Sequence, residues 1–403
     1  MPLAAIPDDN VFIDRNFFPI NCRHLCSLIS TIERGVIMKF AKELCISAVA
    51  SALLSIATAS VAQTVSLGAV LPLTGASASV GDDQRRGIEL AVEQVNAHNG
   101  VLGQKLQVVV EDSGGNAATA LSSARKLVSV NKVPVVLGEF SSGITIPVGE
   151  YVVQQGDVHI NIGSSSPAIR KIGEGSFSVI GLDDLSARFA AGDVFAQNLK
   201  DVAFIAPNNS YGQGVASEFK KRFESLGGKV SSLVLYSEGQ STYRRELQQM
   251  SRSSPQAYVY SAYGQEAATI NREAYELGLG KKKWYGIYLT MCTSDTVPQA
   301  AQGQEGLEVA SIGAGGKSYD QAYREKYKEA PKSSFGSYAY DGVMVAAAAI
   351  NKAGAADPTK IRAAMKTVVP YNGATGTIAF DDAGQRKEQP YDKVKFDTKV
   401  VAR

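Results

Sequence analysis

Cysteine is scarce. The 403 residues hold four, and three of them (Cys22, Cys26 and Cys45) fall within the first 62. No C-x-x-C pair is present, so neither a zinc pair nor a disulfide scaffold can be built. Charge of one sign is missing too: 41 Lys and Arg stand against 39 Asp and Glu, a formal charge of +2. There is no basic excess to hold nucleic acid and no long like-charge block to act as an interaction tail. Histidine is rarer still, with three in the chain. What remains is ordinary, with 45% hydrophobic and 20% charged residues, 38 Gly and 14 Pro. That composition excludes disorder, collagen and coiled coil, and the length leaves room for two or three domains.

The first 62 residues read as something other than the fold. Met38-Lys39 opens a short basic stretch ending at Lys42. An apolar, Ala/Ser-rich run follows from Leu44 to Val61, and Ser60-Val61-Ala62 forms a small-x-small site before Gln63. These are the three parts of a cleavable secretory signal peptide. Serines and threonines interrupt the run, which weakens it as a membrane span. Cys45 stands at its start, which argues against a lipid anchor. Because a signal peptide is read from the N-terminus, translation is expected to start at Met38, with residues 1–37 a mis-called upstream extension. The exported chain is then Gln63–Arg403, 403 − 62 = 341 residues, bound for the periplasm with Cys292 as its one cysteine. It has no internal disulfide, so it is held by its cores, for which its length is ample.

From Gln63 onward strands and helices alternate. Val65–Leu71 is a near-continuous apolar run before Pro72, the pattern of a buried parallel strand. Asp82–His98 carries a helical stripe (Ile88, Leu90, Ala91, Val92, Val95) stopped by Asn99-Gly100. Strand Leu106–Val110, helix Ala117–Val130, strand Val133–Leu137, helix Ile144–Gln155 and strand Val158–Ile162 continue the series. The grammar restarts near Leu185 with helix Ala187–Asn198 and strand Val202–Ala206. Helix Gly214–Leu226, strand Val230–Leu235, helix Tyr243–Met250, strand Ala257–Tyr260, helix Ala267–Leu277 and strand Lys283–Tyr288 complete it. Past Gly313–Gly316 come helices Tyr319–Tyr327 and Tyr338–Ala353, a segment Pro358–Val368, and short strands Gly376–Phe380 and Lys393–Phe396. The expected class is α/β, with two doubly wound lobes and a cleft between them suited to a small molecule.

The chain resembles the type I periplasmic solute-binding proteins of ABC importers, in the leucine/isoleucine/valine-binding branch. The resemblance runs over Val65–Phe396. Its motifs are Gly68-Ala69-Val70-Leu71-Pro72-Leu73-Thr74-Gly75, Gly87-Ile88-Glu89-Leu90-Ala91 with Asn96-Ala97-His98-Asn99-Gly100-Val101-Leu102-Gly103, and Glu111-Asp112-Ser113. Tyr211-Gly212-Gln213-Gly214, Tyr338-Ala339-Tyr340-Asp341-Gly342 and Gly376-Thr377-Ile378-Ala379-Phe380-Asp381 follow in the same order. The resemblance implies residues 63–182 and 313–371 in lobe 1 and 183–312 and 372–403 in lobe 2. Three crossings form the hinge, and the lobes close on ligand. It further implies a monomer that captures a branched-chain type of amino acid and delivers it to a membrane permease, with no cofactor and no catalysis. Two alternatives stay open: the same role for a non-amino carboxylate such as an aromatic acid, and a ligand sensor with the same fold.

Two serine clusters follow strands, where ligands of open α/β sheets collect. Ser141-Ser142-Gly143 opens a helix whose free N–H groups and dipole suit an anion; a plain helix cap is the bland reading. Gly163-Ser164-Ser165-Ser166-Pro167 is either a polar turn or a second set of donors, with Gly163 allowing close backbone approach. The resemblance puts Ser142 at the ligand carboxylate, makes Ser165 a hydroxyl donor, and sets Tyr211 and Tyr263 opposite them as ring contacts. Two departures stand out. The acid that holds the ammonium in this family is expected after strand Lys283–Tyr288, but Leu289-Thr290-Met291-Cys292 offers none before Asp295. Val80 stands near the place of an expected aromatic. Either Asp295 or another acid reaches the ammonium, or the ligand has none.

Enzyme readings find little support. His98 ends a helix and His159 sits in a strand, Cys292 is a lone thiol, and no G-x-S-x-G, H-E-x-x-H or P-loop is present. Gly212-x-Gly214 is half a dinucleotide fingerprint, with Ser217 where the third glycine belongs. Lys281-Lys282-Lys283 reads as a solvated turn or a permease contact.

Overall fold

The structure, a computed structural model, describes residues 64–309 and 313–397. The expected extension and signal peptide, residues 1–62, lie outside the described residues. Five strands form the first sheet: β1 (Thr64–Leu71), β2 (Lys105–Asp112), β3 (Val135–Gly138), β4 (Val158–Asn161) and β5 (Ser176–Ser178), in the order β2-β1-β3-β4-β5. All of its pairings are parallel. Inner strand β1 is buried over most of its length and β3 and β4 over all of theirs. That burial on both faces explains their unbroken apolar runs.

The second sheet repeats the plan. Strands β6 (Asp201–Pro207), β7 (Lys229–Tyr236), β8 (Ala257–Tyr260), β9 (Lys283–Ile287) and β10 (Glu305–Val309) run β7-β6-β8-β9-β10. The late strand β13 (Tyr391–Lys395) adds antiparallel to β10 at the edge. A separate hairpin, β11 (Tyr371–Gly373) with β12 (Gly376–Ile378), belongs to neither sheet. In both sheets the strand order reverses beside the first strand, β1 in one and β6 in the other. Loops at the carboxyl ends of the strands there form a binding crevice.

The helices are α1 (Ala78–Ala97), α2 (Ala117–Ser129), α3 (Ser142–Gln154), α4 (Asp183–Ala196), α5 (Ser210–Ser225) and α6 (Arg244–Arg252). They continue as α7 (Gly264–Glu276), α8 (Leu289–Thr293), α9 (Pro298–Ala301), α10 (Gly313–Tyr327), α11 (Phe335–Ala353) and α12 (Pro358–Met365). Helices α1, α3, α4, α5, α7 and α11 all begin two to four residues before the apolar stripe predicts. The first turns of α3, α5 and α11 line a cavity and that of α1 a groove, and all six carry Ser, Asp or Gly in place of an apolar stripe. Three strands escape the sequence pattern. Strand β5 is three residues, Ser-Phe-Ser, β10 carries two glutamates on five residues, and β11 is three residues, Tyr-Asn-Gly.

The chain crosses from the first sheet to the second after β5, returns between β10 and α10, and crosses again between β12 and β13. Arg386 ties the first and third crossings. It is buried at 1% exposure, and its Nη1 donates to Val179 O (2.7 Å) and Thr375 Oγ1 (2.8 Å). Its Nη2 donates to Thr375 O at 2.8 Å and Thr377 O at 3.0 Å. Asp341, fully buried on α11, accepts from Ala374 N, Thr375 N and Thr375 Oγ1 at 2.6–2.9 Å and fixes the same turn.

Candidate functional site: a two-walled cavity between the sheets

A small cavity, with little more room than a single water molecule needs, lies where the carboxyl ends of the two sheets meet. Loops of the first sheet supply Phe140, Ser141, Ser142, Gly163 and Ser165, and α11 adds Phe335. Loops of the second supply Tyr211, Tyr263, Tyr288 and Met291. Six of the seven residues picked from the sequence therefore come together. Ser164 does not: its Oγ donates to Phe140 O (2.9 Å) and pairs with Thr145 Oγ1 (2.5 Å). It clamps the β4 loop to the β3 loop instead of facing the cavity.

Local chemistry explains the first wall. Asn161 ends β4, and its Oδ1 accepts from Gly163 N (3.3 Å) and Ser164 N (2.9 Å) while its Nδ2 donates to Ser164 O (2.6 Å). This local turn, typical of Asn, folds the Gly163–Ser166 loop back on itself. Ser141 occupies the position before α3, yet its side chain makes no capping bond. Its N–H instead donates to Glu139 Oε2 (2.7 Å), and Glu139 Oε1 accepts from Ser113 Oγ (2.7 Å). Burial pushes the Glu139 carboxyl up to about 7. Ser142 Oγ accepts from Ser166 N at 3.3 Å, which leaves its proton available. At the start of α3, Ile144 N and Thr145 N already donate to Ser141 O (2.9 and 2.8 Å), which leaves the N–H groups of Ser142 and Gly143 with no acceptor within the helix. The wall is thus rich in donors.

The opposite wall is built of rings. Tyr211 is set by Asn209, whose side chain caps α5 by accepting from Tyr211 N (3.1 Å) and Gly212 N (3.0 Å). The Tyr211 hydroxyl bonds to Ser261 Oγ. The Tyr263 hydroxyl donates to Glu238 Oε1 and accepts from Asn209 Nδ2, both at 2.8 Å. Both hydroxyls are engaged within their own wall. Tyr288 holds a left-handed backbone (φ 60°) just before α8, a strained conformation that aims its ring. Ring contacts join the walls, with Phe140 edge-to-face 5.4 Å from Tyr263 and Phe335 5.9 Å from Tyr288, while Phe335 packs edge-to-face on Phe140 at 5.0 Å within the first wall. Burial pushes the hydroxyls of Tyr211, Tyr263 and Tyr288 well above the ordinary tyrosine range.

No residue lining the cavity is charged. Asp295, the acid that a shifted loop was expected to bring, accepts from Ser79 Oγ (3.2 Å) and lines a separate open groove together with Val80. The loop after β9 is not shifted toward the cavity; it winds into α8, which presents Met291. Two acids stand one layer behind. Glu308 accepts from Thr290 N (3.1 Å) and Ser334 Oγ and is fully occupied. Asp183, at the first crossing, is buried. Its N–H donates to Ser165 O (2.7 Å) and its Oδ1 accepts from Ser186 Oγ (3.1 Å). Among the described residues its Oδ2 has no partner in good hydrogen-bond geometry; burial holds the carboxyl well above the usual range, and the hydroxyls of Ser165 and Ser186 beside it pull the other way.

Sequence reasoning missed Phe140, Tyr288, Met291 and Phe335. Phe140 adjoins the first serine cluster, Tyr288 ends a predicted strand, and Met291 lies in the loop searched only for an acid. Phe335 precedes its helix stripe. The groups considered for catalysis lie elsewhere. His159 is buried between Ser176 Oγ (2.9 Å) and Gly138 O (2.6 Å), and burial lowers its pKa to about 4. His98 is exposed at the end of α1. The Cys292 thiol is buried and pushed up to about 12. Lys283 Nζ donates to Gln197 Oε1 (3.0 Å) on the surface.

Residues 64–399 match the periplasmic binding protein family. The chain belongs to that family. Its members are solute-binding components of transport, not enzymes. The leucine-, isoleucine-, valine-, threonine- and alanine-binding protein of Pseudomonas aeruginosa is 29% identical over 341 residues, covering 81% of this chain and 88% of its own length. In fold, the chain is similar to a branched-chain amino acid binding protein of Streptococcus pneumoniae solved with isoleucine. That match has a TM-score of 0.74 and 24% identity, over 83% of this chain and all of the other. It is equally similar to a solute-binding protein of R. palustris solved with benzoate, with a TM-score of 0.76 and 18% identity, over 83% of this chain and 94% of the other.

Proposed function

We propose that the protein is the substrate-binding component of an ABC importer, capturing a small carboxylate-bearing solute with an apolar body and delivering it to a membrane permease. Residues 38–62 direct it to the periplasm and are then removed. Residues 63–182 and 313–371 act as one lobe, and 183–312 and 372–403 as the other. The protein works as a monomer; its exposed large apolar residues, Val130, Leu233, Tyr275 and Val297, are scattered over separate elements, which supports this.

One observation carries the ligand class. Hydroxyls and helix N–H groups stand on one wall of the cavity, and an uncharged aromatic wall faces them. Ser141, Ser142, Gly163 and Ser165 take the carboxylate, with each hydrogen bond to the charged group contributing about 1.5–3 kcal/mol. Tyr211, Tyr263, Tyr288 and Phe335 cover the body.

The named relatives favour a branched-chain type of amino acid, and Asp183 favours a second pole for its ammonium. Among the described residues its Oδ2 makes no bond of good geometry, the Ser165 hydroxyl is its near neighbour, and Asp184 and Glu218, the charges acting on it, are both acids. The wall itself, with no charge of its own, favours a non-amino aromatic or aliphatic acid. A thermal-shift panel separates the two, because ligand that binds only the folded state raises Tm. Leucine, isoleucine and valine raising Tm in the native protein but not in Asp183→Asn supports the amino-acid reading. A rise with benzoate and hydroxycinnamates alone, kept in Asp183→Asn, supports the other. No rise with any carboxylate rejects the proposed site.

A further inference from the structure

Gln84 lies in the second turn of α1, at 0% exposure. Neither its Nε2 nor its Oε1 has a hydrogen-bond partner among the described residues. Its neighbour Asp83 is equally buried and is fully served. Asp83 Oδ1 accepts from Tyr323 Oη at 2.9 Å, and its Oδ2 accepts from Ser333 N, Ser333 Oγ and Gly336 N. Buried carboxamides are normally paired, and leaving both atoms unpaired is costly enough to call for a role.

Position supplies that role. A Cβ on Gly163 would stand 2.9 Å from Gln84 Nε2 and 3.0 Å from Phe140 Cα. Gly163 and Phe140 both line the cavity. Because residue 163 has no side chain, nothing on it covers the amide. Gln84 stands directly behind Gly163 without itself lining the cavity, and no side chain of residue 163 separates its amide from the lining.

We propose that Gln84 is a specificity-determining residue of this cavity, pairing with a hydroxyl group that the ligand carries in addition to its carboxylate. The chemistry selects the partner. A carboxamide offers a donor and an acceptor side by side. A carboxylate only accepts and would leave Oε1 unpaired. An ammonium only donates and would leave Nε2 unpaired. A hydroxyl accepts from Nε2 and donates to Oε1, which satisfies both. The inference rests on the carboxylate reading of the cavity and narrows it to hydroxy-acids or hydroxy-amino acids.

The test compares ligands that differ by one hydroxyl, using calorimetric titration of the native protein. The pairs are valine with threonine and benzoate with 3- and 4-hydroxybenzoate. The native protein is expected to favour the hydroxylated member of the pair it binds by roughly three- to twelvefold, the worth of one neutral hydrogen bond. In Gln84→Met that ratio falls to about one, while the plain member keeps its affinity and the unliganded Tm stays level or rises. A merely structural glutamine would lower Tm and leave the ratio alone. A ratio that persists in Gln84→Met overturns the proposal. So does a native protein that binds plain carboxylates as tightly as hydroxylated ones, a result that needs no variant and leaves the carboxylate reading intact. Failure of every carboxylate to bind removes both.

Discussion

The loops after β3 and β4 and the loops after β6, β8 and β9 stand at equivalent places in two sheets of the same strand order, yet they present opposite chemistry. Phe140 apart, the first set is small and polar, Ser141, Ser142, Gly163 and Ser165, with backbone N–H groups at the mouth of α3. The second is bulky and aromatic, and its tyrosine hydroxyls are already engaged by Ser261, Asn209 and Glu238. One topology therefore supplies two walls that divide the work. In the proposed function, directional bonds on one side would fix a ligand's polar end, and ring surface on the other would respond to the size of its body. A ligand held by the first wall would, in the same proposal, give the second something to close upon, linking binding to lobe closure.

The sharpest way to break this division is to silence the polar wall. In the double variant Ser142→Ala/Ser165→Ala, two hydrogen bonds to the ligand carboxylate disappear. Affinity is expected to fall roughly 10²- to 10⁴-fold. Loss of the Ser142 acceptor for Ser166 N costs about 1 kcal/mol of stability, so the far-ultraviolet spectrum stays native and Tm drops modestly. Unchanged affinity in calorimetry would mean that the ligand does not use this wall.

A smaller effect tests the opposite wall, where ring and hydroxyl are expected to separate. Tyr263→Phe keeps the ring facing Phe140 and deletes the bonds to Glu238 and Asn209. It should cost about 0.5–1.5 kcal/mol in denaturant unfolding, since exposed Glu238 and half-buried Asn209 turn to water instead. Affinity should change by less than about threefold. Tyr263→Leu removes the ring and should weaken binding by about tenfold through lost aromatic contact. If Tyr263→Phe weakens binding as much as Tyr263→Leu, the hydroxyl reaches the ligand and the walls are less distinct than their geometry indicates.

The two walls also differed in how far the sequence betrayed them. The serines were legible because they follow apolar runs that can only be inner strands, and the carboxyl end of an inner strand is where sites form. Ser164 looked like its neighbours, and only the turn made by Asn161 decides that it points inward. The rings were harder to find. Phe140 and Tyr288 read as strand flanks and Phe335 as the residue before a helix, because an apolar side chain signals burial without saying against what. Tyr288 reaches the cavity through a left-handed backbone that no periodicity predicts. Asp183 and Gln84 sit at helix starts, where polar residues are commonplace. Their importance lies in unpaired atoms, a property of the assembled interior.

The smallest expected effect is a pH dependence confined to one wall. Burial raises the hydroxyls of Tyr211, Tyr263 and Tyr288 well above their ordinary range, so the aromatic wall does not titrate below pH 10. Glu139, behind Ser141, is raised from 4.5 to about 7, chiefly by burial, with nearby Asp112 adding to the rise. The folded state therefore holds this proton more tightly than the unfolded chain does. Stability from Glu139 is complete below about pH 4.5 and is lost as pH climbs through 7. A ligand carboxylate at Ser141 repels the ionised form, so affinity should fall by a few-fold between pH 6 and 8 as the proton leaves. His159, lowered to about 4, works with the opposite sign, adding stability as pH rises from 4 to 6.5. Glu139→Gln separates the two. It should flatten the decline in both Tm and affinity near pH 7 while leaving the acid-side rise in Tm in place. An affinity profile identical to that of the native protein would place the titrating group elsewhere and detach Glu139 from the polar wall.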